Sequence, residues 1–166
     1  MNMLALMIFP IMMAFAASSD LLTMRISNKI VMFLILGFVV LATIIGMPLS
    51  QFLVHLGIAF TVLIVSFGLF TFGWIGGGDA KLAAASALWF GSSITLTYLI
   101  YASLLGGLLT IVLIVLRKLP LPIFLMKVTW VERLHNKISG IPYGIALAAA
   151  GLLVYPQSVI FAHFAG

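Results

Sequence analysis

The sequence predicts an all-α membrane protein, a polytopic bundle of about six helices with both termini extracytoplasmic. Three observations lead there. Hydrophobic residues make up 64% of the 166-residue chain and charged residues only 7%, whereas about a quarter of a soluble domain is charged. The apolar runs are long and continuous, unlike the alternating segments of about ten residues that build a barrel. The basic residues gather in a few short stretches, as they do in cytoplasmic loops. The net charge of +5 is therefore read as a topology signal, and no nucleic-acid partner is expected. The chain has no cysteine, which removes disulfides and Cys-ligated metals from consideration. One domain is expected over residues 1–166.

The first span is expected over residues 3–22. Ala14-Phe15-Ala16-Ala17 mimics a signal-peptidase site, but no Lys or Arg precedes it. The basic start of a signal peptide is missing, so the segment is read as a retained helix with its N-terminus outside. The second span covers 30–47, and Pro48, Ser50 and Gln51 make a turn before the third, 52–72. Gly73 to Asp79 then breaks the helix. The fourth span, 80–90, rises only about 16 Å, short of a hydrocarbon core of about 30 Å. It is read as a partial span or one lengthened by unwound glycines. Such backbone is tolerated at depth only where it is buried in protein or lines a wet cavity. Gly91-Ser92-Ser93 makes the next turn, the fifth span covers 94–116, and the last 143–164.

With six spans, Arg25, Lys29, Lys81, Arg117, Lys118, Lys127, Arg133 and Lys137 all fall on the cytoplasmic side. Fusing spans four and five would put the last five of them outside. The basic loop, 117–141, carries Ile123, Phe124, Val128, Val131, Leu134 and Ile138 near helical spacing. A helix over 123–139 lying on anionic lipid is expected from that pattern.

The chain holds three acidic residues, Asp20, Asp79 and Glu132. A carboxylate at membrane depth is costly and is by default a functional candidate. The topology puts Asp20 at the inner end of span one and Asp79 at the inner start of span four, hence at one depth. Two readings stand side by side. Asp79 can be only the N-cap of a helix starting at Ala80, with Asp20 an interfacial charge offset by Arg25 or Lys29. Alternatively the two form a hydrolytic pair, in which one ionised carboxylate takes a proton from water and the other, protonated, polarises a carbonyl. Two such groups in a poorly solvated site share a proton. Gly76, Gly77 and Gly78 would leave backbone open to substrate and free to take positive φ; with the neighbouring Lys81 they are the candidate substrate contacts.

Glu132 is expected as a solvated ion-pair partner on the surface helix. His55, His135 and His163 have no ligand spacing and are placed at the interfaces, so no metal is proposed. Trp74, Trp89 and Trp130 are expected in an aromatic belt.

Gly76-Gly77-Gly78-Asp79-Ala80-Lys81-Leu82 resembles the Gly-x-Gly-Asp motif of the type IV prepilin peptidases. In that family a second aspartate ends the first membrane helix, ahead of a basic, Asn-containing stretch. Asp20-Leu21-Leu22-Thr23-Met24-Arg25-Ile26-Ser27-Asn28 is similar to that segment, with Ser27 where the family usually has Pro. Ile141-Pro142-Tyr143-Gly144-Ile145-Ala146 resembles the last helix of the short CpaA/TadV branch, which serves Flp and Tad pili.

The resemblance implies an aspartyl endopeptidase of the bacterial inner membrane. Asp20 and Asp79 would be catalytic, and prepilins or pseudopilins would be cut after their short basic leader at the cytoplasmic face. It implies no cofactor. The long relatives carry an extra cytoplasmic domain, often with paired cysteines, linked to N-methylation; this chain has no room for it, so cleavage alone is implied. Membrane lipid is the other expected partner, and oligomeric state has no signal in the sequence. The rivals are a small proton- or ion-coupled transporter, which would also use intramembrane carboxylates and broken helices, and a scaffold subunit in which the aspartates are only caps.

Overall fold

The computed structural model describes residues 2–122, 124 and 127–165, and these are helical or irregular, with no strand among them. Helix α1 spans Asn2–Thr23 and runs unbroken through Pro10, as membrane helices often do where neighbours accommodate the freed carbonyl. It ends at Met24, which takes a left-handed φ of 54°. The Ser19 and Thr23 hydroxyls donate to the Arg25 carbonyl at 2.7 and 3.2 Å and close the turn. Helix α2, Asn28–Ile44, starts on Ser27, whose side chain accepts from the Lys29 N–H. The residue that departs from the family pattern is thus an N-cap in its own right.

Helix α2 stops earlier than expected because Gly46 turns the chain at φ 64°. Ser50 and Gln51 are not turn residues; they lie inside α3, Leu49–Thr71. Pro48, having no N–H to give, fits just outside the helix start.

Helix α4, Gly77–Leu116, contains 40 residues. Straight, it would be about 60 Å long, twice the hydrocarbon core of about 30 Å. It is not straight: Gly91 takes φ 61°, ψ −159°. The Thr95 hydroxyl reaches the Ala87 carbonyl, eight residues back, at 3.4 Å, and the Phe90 and Tyr98 rings lie 5.0 Å apart. The two limbs fold against each other, and the turn expected at Gly91-Ser92-Ser93 is a break at Gly91 alone.

The first limb is the hub of the bundle. Every residue from Leu82 to Gly91 is buried, as expected of a helix apolar all round. Ala83, Ala84, Ala85, Ser86 and Ala87 are small enough to let neighbouring helices approach closely. Helices α2 and α3 and the helix opening at Tyr143 all pack on α4.

His55 and Trp89 lie inside the bundle and not on its outer surface. His55 is buried, its Nδ1 donates to the Leu88 carbonyl at 2.7 Å, and its ring stacks on Phe38. Trp89 is fully buried and donates from Nε1 to the Leu34 carbonyl at 3.1 Å. Carbonyls exposed by the packing satisfy the polar atoms that sequence reasoning sends to the interface. Trp89→Phe removes that bond and leaves a gap among Phe9, Phe38 and Tyr155. A loss of about 1–3 kcal/mol is expected, read as a lower melting temperature by circular dichroism in nanodiscs.

Of the helix expected over 123–139, residues 127–128 form a turn and α5 follows at Thr129–His135; Ile123, Leu125 and Met126 lie outside the described residues. Val128 is extended before it and Asn136 after it, which sets both ends. The last expected helix is also divided. Helix α6, Tyr143–Val154, passes through a 3-10 turn at Tyr155–Gln157, containing Pro156, into α7, Val159–Ala165. The two segments bend by 54°.

By length and composition, three helices can cross a membrane: Met3–Thr23, Leu49–Thr71 and Gly77–Leu116. The bent α6–α7 pair makes a fourth if it counts as one span. Of the six expected spans, two therefore lie in the broken α4, and α2, at 17 residues, falls short of that length. Exposed large apolar side chains, among them Phe33, Phe60, Leu104 and Ile111, stand on the bundle's outer surface, where a bilayer would cover them.

Candidate active site

Asp20 and Asp79 come from different helix ends and are brought together. Asp20 lies in the last turn of α1 and is 5% exposed. Its Oδ2 accepts a buried hydrogen bond of 2.7 Å from the Gly144 N–H, 124 positions away. Asp79 sits in the first turn of α4 and is half-buried. The helix starts at Gly77, with Gly76 as N-cap, so Asp79 is the third helical residue and not the cap itself. Its carboxylate reaches back to accept from the Gly76 N–H at 3.2 Å, the acid's half of a capping box. Both acids stand beside one residue, Ile26.

Ile26 holds the spacing. A Cβ on Gly78, beside Asp79, would meet Ile26 Cβ at 3.2 Å; one on Gly144, beside Asp20, would meet Ile26 Cδ1 at 2.9 Å. Ile26 is wedged between the backbones that carry and cradle the two acids.

The glycines serve close approach. Gly76, Gly77 and Gly78 do not take positive φ; the glycines that do are Gly46, Gly73 and Gly91. A Cβ on Gly76 would lie 2.7 Å from Asp79 Oδ2, and one on Gly77 would lie 3.3 Å from the Phe70 ring. A side chain at Gly76 would therefore displace the carboxylate.

Asp79 opens onto a cavity of about 430 Å³ bounded by α3, both limbs of α4, and α6. Asp79 and Ser103 both line it, although on a straight helix they would stand about 36 Å apart; the fold at Gly91 makes the cavity. Its walls are chiefly aliphatic, including Val65, Leu69, Leu99 and Leu147. The hydroxyls of Thr61, Ser66 and Ser103 donate to carbonyls of their own helices. Asp79 is the one charged side chain in this lining.

Lys81 points elsewhere. Its Nζ donates to Asn28 Oδ1 at 3.1 Å, and it borders a separate apolar groove with Val31, Leu56 and Phe60. The contact joins the start of α2, the helix after the one that ends with Asp20, to the start of α4, which carries Asp79. The basic segment is fastened over the same end. Arg133 donates to the Leu22 carbonyl at 3.0 Å, and Arg117 to the carbonyls of Leu134 and Gly140 at 2.8 and 2.9 Å. Glu132 is exposed in the first turn of α5.

Sequence reasoning missed Ile26 and Gly144 as parts of the site. Both lie in stretches singled out for their resemblance, but the pairing of residues so distant in sequence leaves no local trace.

No curated protein sequence and no solved structure matches the chain. The family model of the type IV leader peptidases matches residues 7–111, a stretch holding both aspartates and the glycine run. Leader peptidases of this kind are proteases that act on prepilin-type substrates, and the apolar helices agree with a membrane protein. The chain belongs to the type IV leader peptidase family.

Proposed function

We propose that this leader peptidase is an intramembrane aspartyl endopeptidase with Asp20 and Asp79 as its catalytic pair. Its substrates are Flp/Tad-type prepilins, cut after their basic leader at the cytoplasmic face of the bacterial inner membrane. The observation that carries this reading is the approach of the only two acids in the membrane helices, at helix ends joined through Ile26, beside an apolar cavity.

The ionised carboxylate takes a proton from water, and the water oxygen attacks the scissile carbonyl carbon. The protonated carboxyl gives its proton to the carbonyl oxygen. Collapse of the tetrahedral intermediate breaks the C–N bond as a proton passes to the leaving nitrogen, releasing the leader acid and a free amine on the mature chain. Gly76, Gly77 and Gly78 meet the substrate backbone beside Asp79, while Lys81 stays bonded to Asn28. In this topology both termini are extracytoplasmic and the eight basic residues are cytoplasmic. The reaction is cleavage without N-methylation.

The test is co-reconstitution of the purified chain with a Flp-type prepilin in nanodiscs, followed by mass spectrometry. The expected product lacks the leader and carries an unmodified amine when S-adenosylmethionine is supplied. An intact prepilin would overturn the substrate assignment, and a methylated amine would overturn the restriction to cleavage.

A further inference from the structure

We propose that Gly144 is a positioning residue of the peptidase site, holding Asp20 as the ionised partner and leaving Asp79 to carry the proton. The inference rests on the carboxylate-pair reading and adds to it a third element, from a helix beyond the stretch matched by the family.

Asp20 ends α1 in a nearly closed environment, where an ionised carboxylate needs a donor. The Gly144 N–H is that donor, at 2.7 Å. It lies in the first turn of α6, a helix of 12 residues, where N–H groups lack partners within the helix and the helix dipole favours negative charge. Its neighbours are otherwise engaged. Pro142 has no N–H, Tyr143 donates to the Ile141 carbonyl at 2.9 Å, and Ile145 donates to the Pro142 carbonyl at 3.3 Å. The Gly144 N–H is thus the one aimed at the acid.

Only glycine fits there. A Cβ would lie 2.8 Å from Asp20 Oδ2 and 3.0 Å from Asp20 Cβ, besides its 2.9 Å clash with Ile26. Asp79 has a longer bond, 3.2 Å to Gly76. Short bonds from N–H groups favour the charged form of a carboxylate. The asymmetry assigns Asp20 to take the proton from water and Asp79 to donate to the carbonyl oxygen.

Two variants separate the donor from the space. Gly144→Ala keeps the N–H and adds a methyl; an amide-to-ester replacement at position 144 removes the N–H and adds no bulk. Each is reconstituted in nanodiscs with prepilin, beside Asp20→Asn and Asp79→Asn as controls. The ester variant is expected to lower kcat about ten- to a hundredfold, the effect of losing one hydrogen bond to a charged group. KM and melting temperature stay near those of the unmodified chain, a pattern that packing damage alone would not give. Gly144→Ala is expected to lower kcat at least as far. Because the ester leaves the packing intact, it decides the question where the alanine variant fails to insert. An ester variant with unchanged kcat, beside inactive Asp→Asn controls, would overturn the role of Gly144 and leave the carboxylate pair standing. An active Asp20→Asn control would overturn both.

Discussion

Asp79→Asn is expected to reduce leader cleavage by about a thousandfold or more, and Asp20→Asn by a similar factor. Each substitution keeps the shape of the side chain and an oxygen that can accept from Gly76 or Gly144, so the bundle should survive it. The carboxylate's ability to exchange a proton is what is lost. A single proton-transfer group contributes about 10²–10⁴-fold, and here one pair handles every proton in the reaction. The losses should therefore not multiply: the double variant should be nearly as active as either single one, as for groups that act as a unit. The measurement is kcat/KM for leader release in nanodiscs, with melting curves to certify folding. A folded single variant cleaving at a near-normal rate would sink the pair mechanism. Measurable solute uptake by the unmodified chain in proteoliposomes, with no cleavage, would favour the transporter.

The pair was legible because charge is so scarce in this chain. With three acids among 166 residues, each one in an apolar segment stands out, and the placement of the basic residues puts Asp20 and Asp79 at one depth. The reading of Asp79 as a helix cap also survives in altered form, since its carboxylate accepts from the Gly76 N–H while opening onto the cavity. Distances across the bundle were not legible. Ile26 reads in sequence as one more aliphatic residue of a turn, and its place between Gly78 and Gly144 emerges only when α1, α4 and α6 converge. The burial of His55 and Trp89 was not legible for a related reason. Amphipathic side chains favour the interface when no acceptor is near, but here buried carbonyls of Leu88 and Leu34 accept from them. The break in the last helix is different, because Pro156 is a visible local signal for it.

Gly91→Ala should be the most damaging single substitution for stability, and it tests the fold that creates the cavity. Two costs fall on one methyl group. At φ 61° and ψ −159°, backbone that only glycine readily adopts, a side chain adds about 1–3 kcal/mol of strain. The new Cβ would also lie 2.7 Å from His55 Nε2, 2.8 Å from Cε1 and 3.0 Å from Cδ2. That ring cannot retreat easily, because it stacks on Phe38 and its Nδ1 is bonded to the Leu88 carbonyl; overpacking of this kind costs about 1–3 kcal/mol more. Together they predict a fall in melting temperature of about 5–15 °C, on the scale of globular domains of this size. A His55→Ala background separates the terms. There the ring is gone, so Gly91→Ala should cost only the backbone strain, and the difference between backgrounds measures the collision. Equal costs in both would show that the His55 ring does not press on Gly91. No cost in either would mean that α4 does not fold back at Gly91. The same double variant should recover part of the cleavage lost with Gly91→Ala, since Asp79 faces Leu99, Ala102 and Ser103 only while the two limbs of α4 lie side by side.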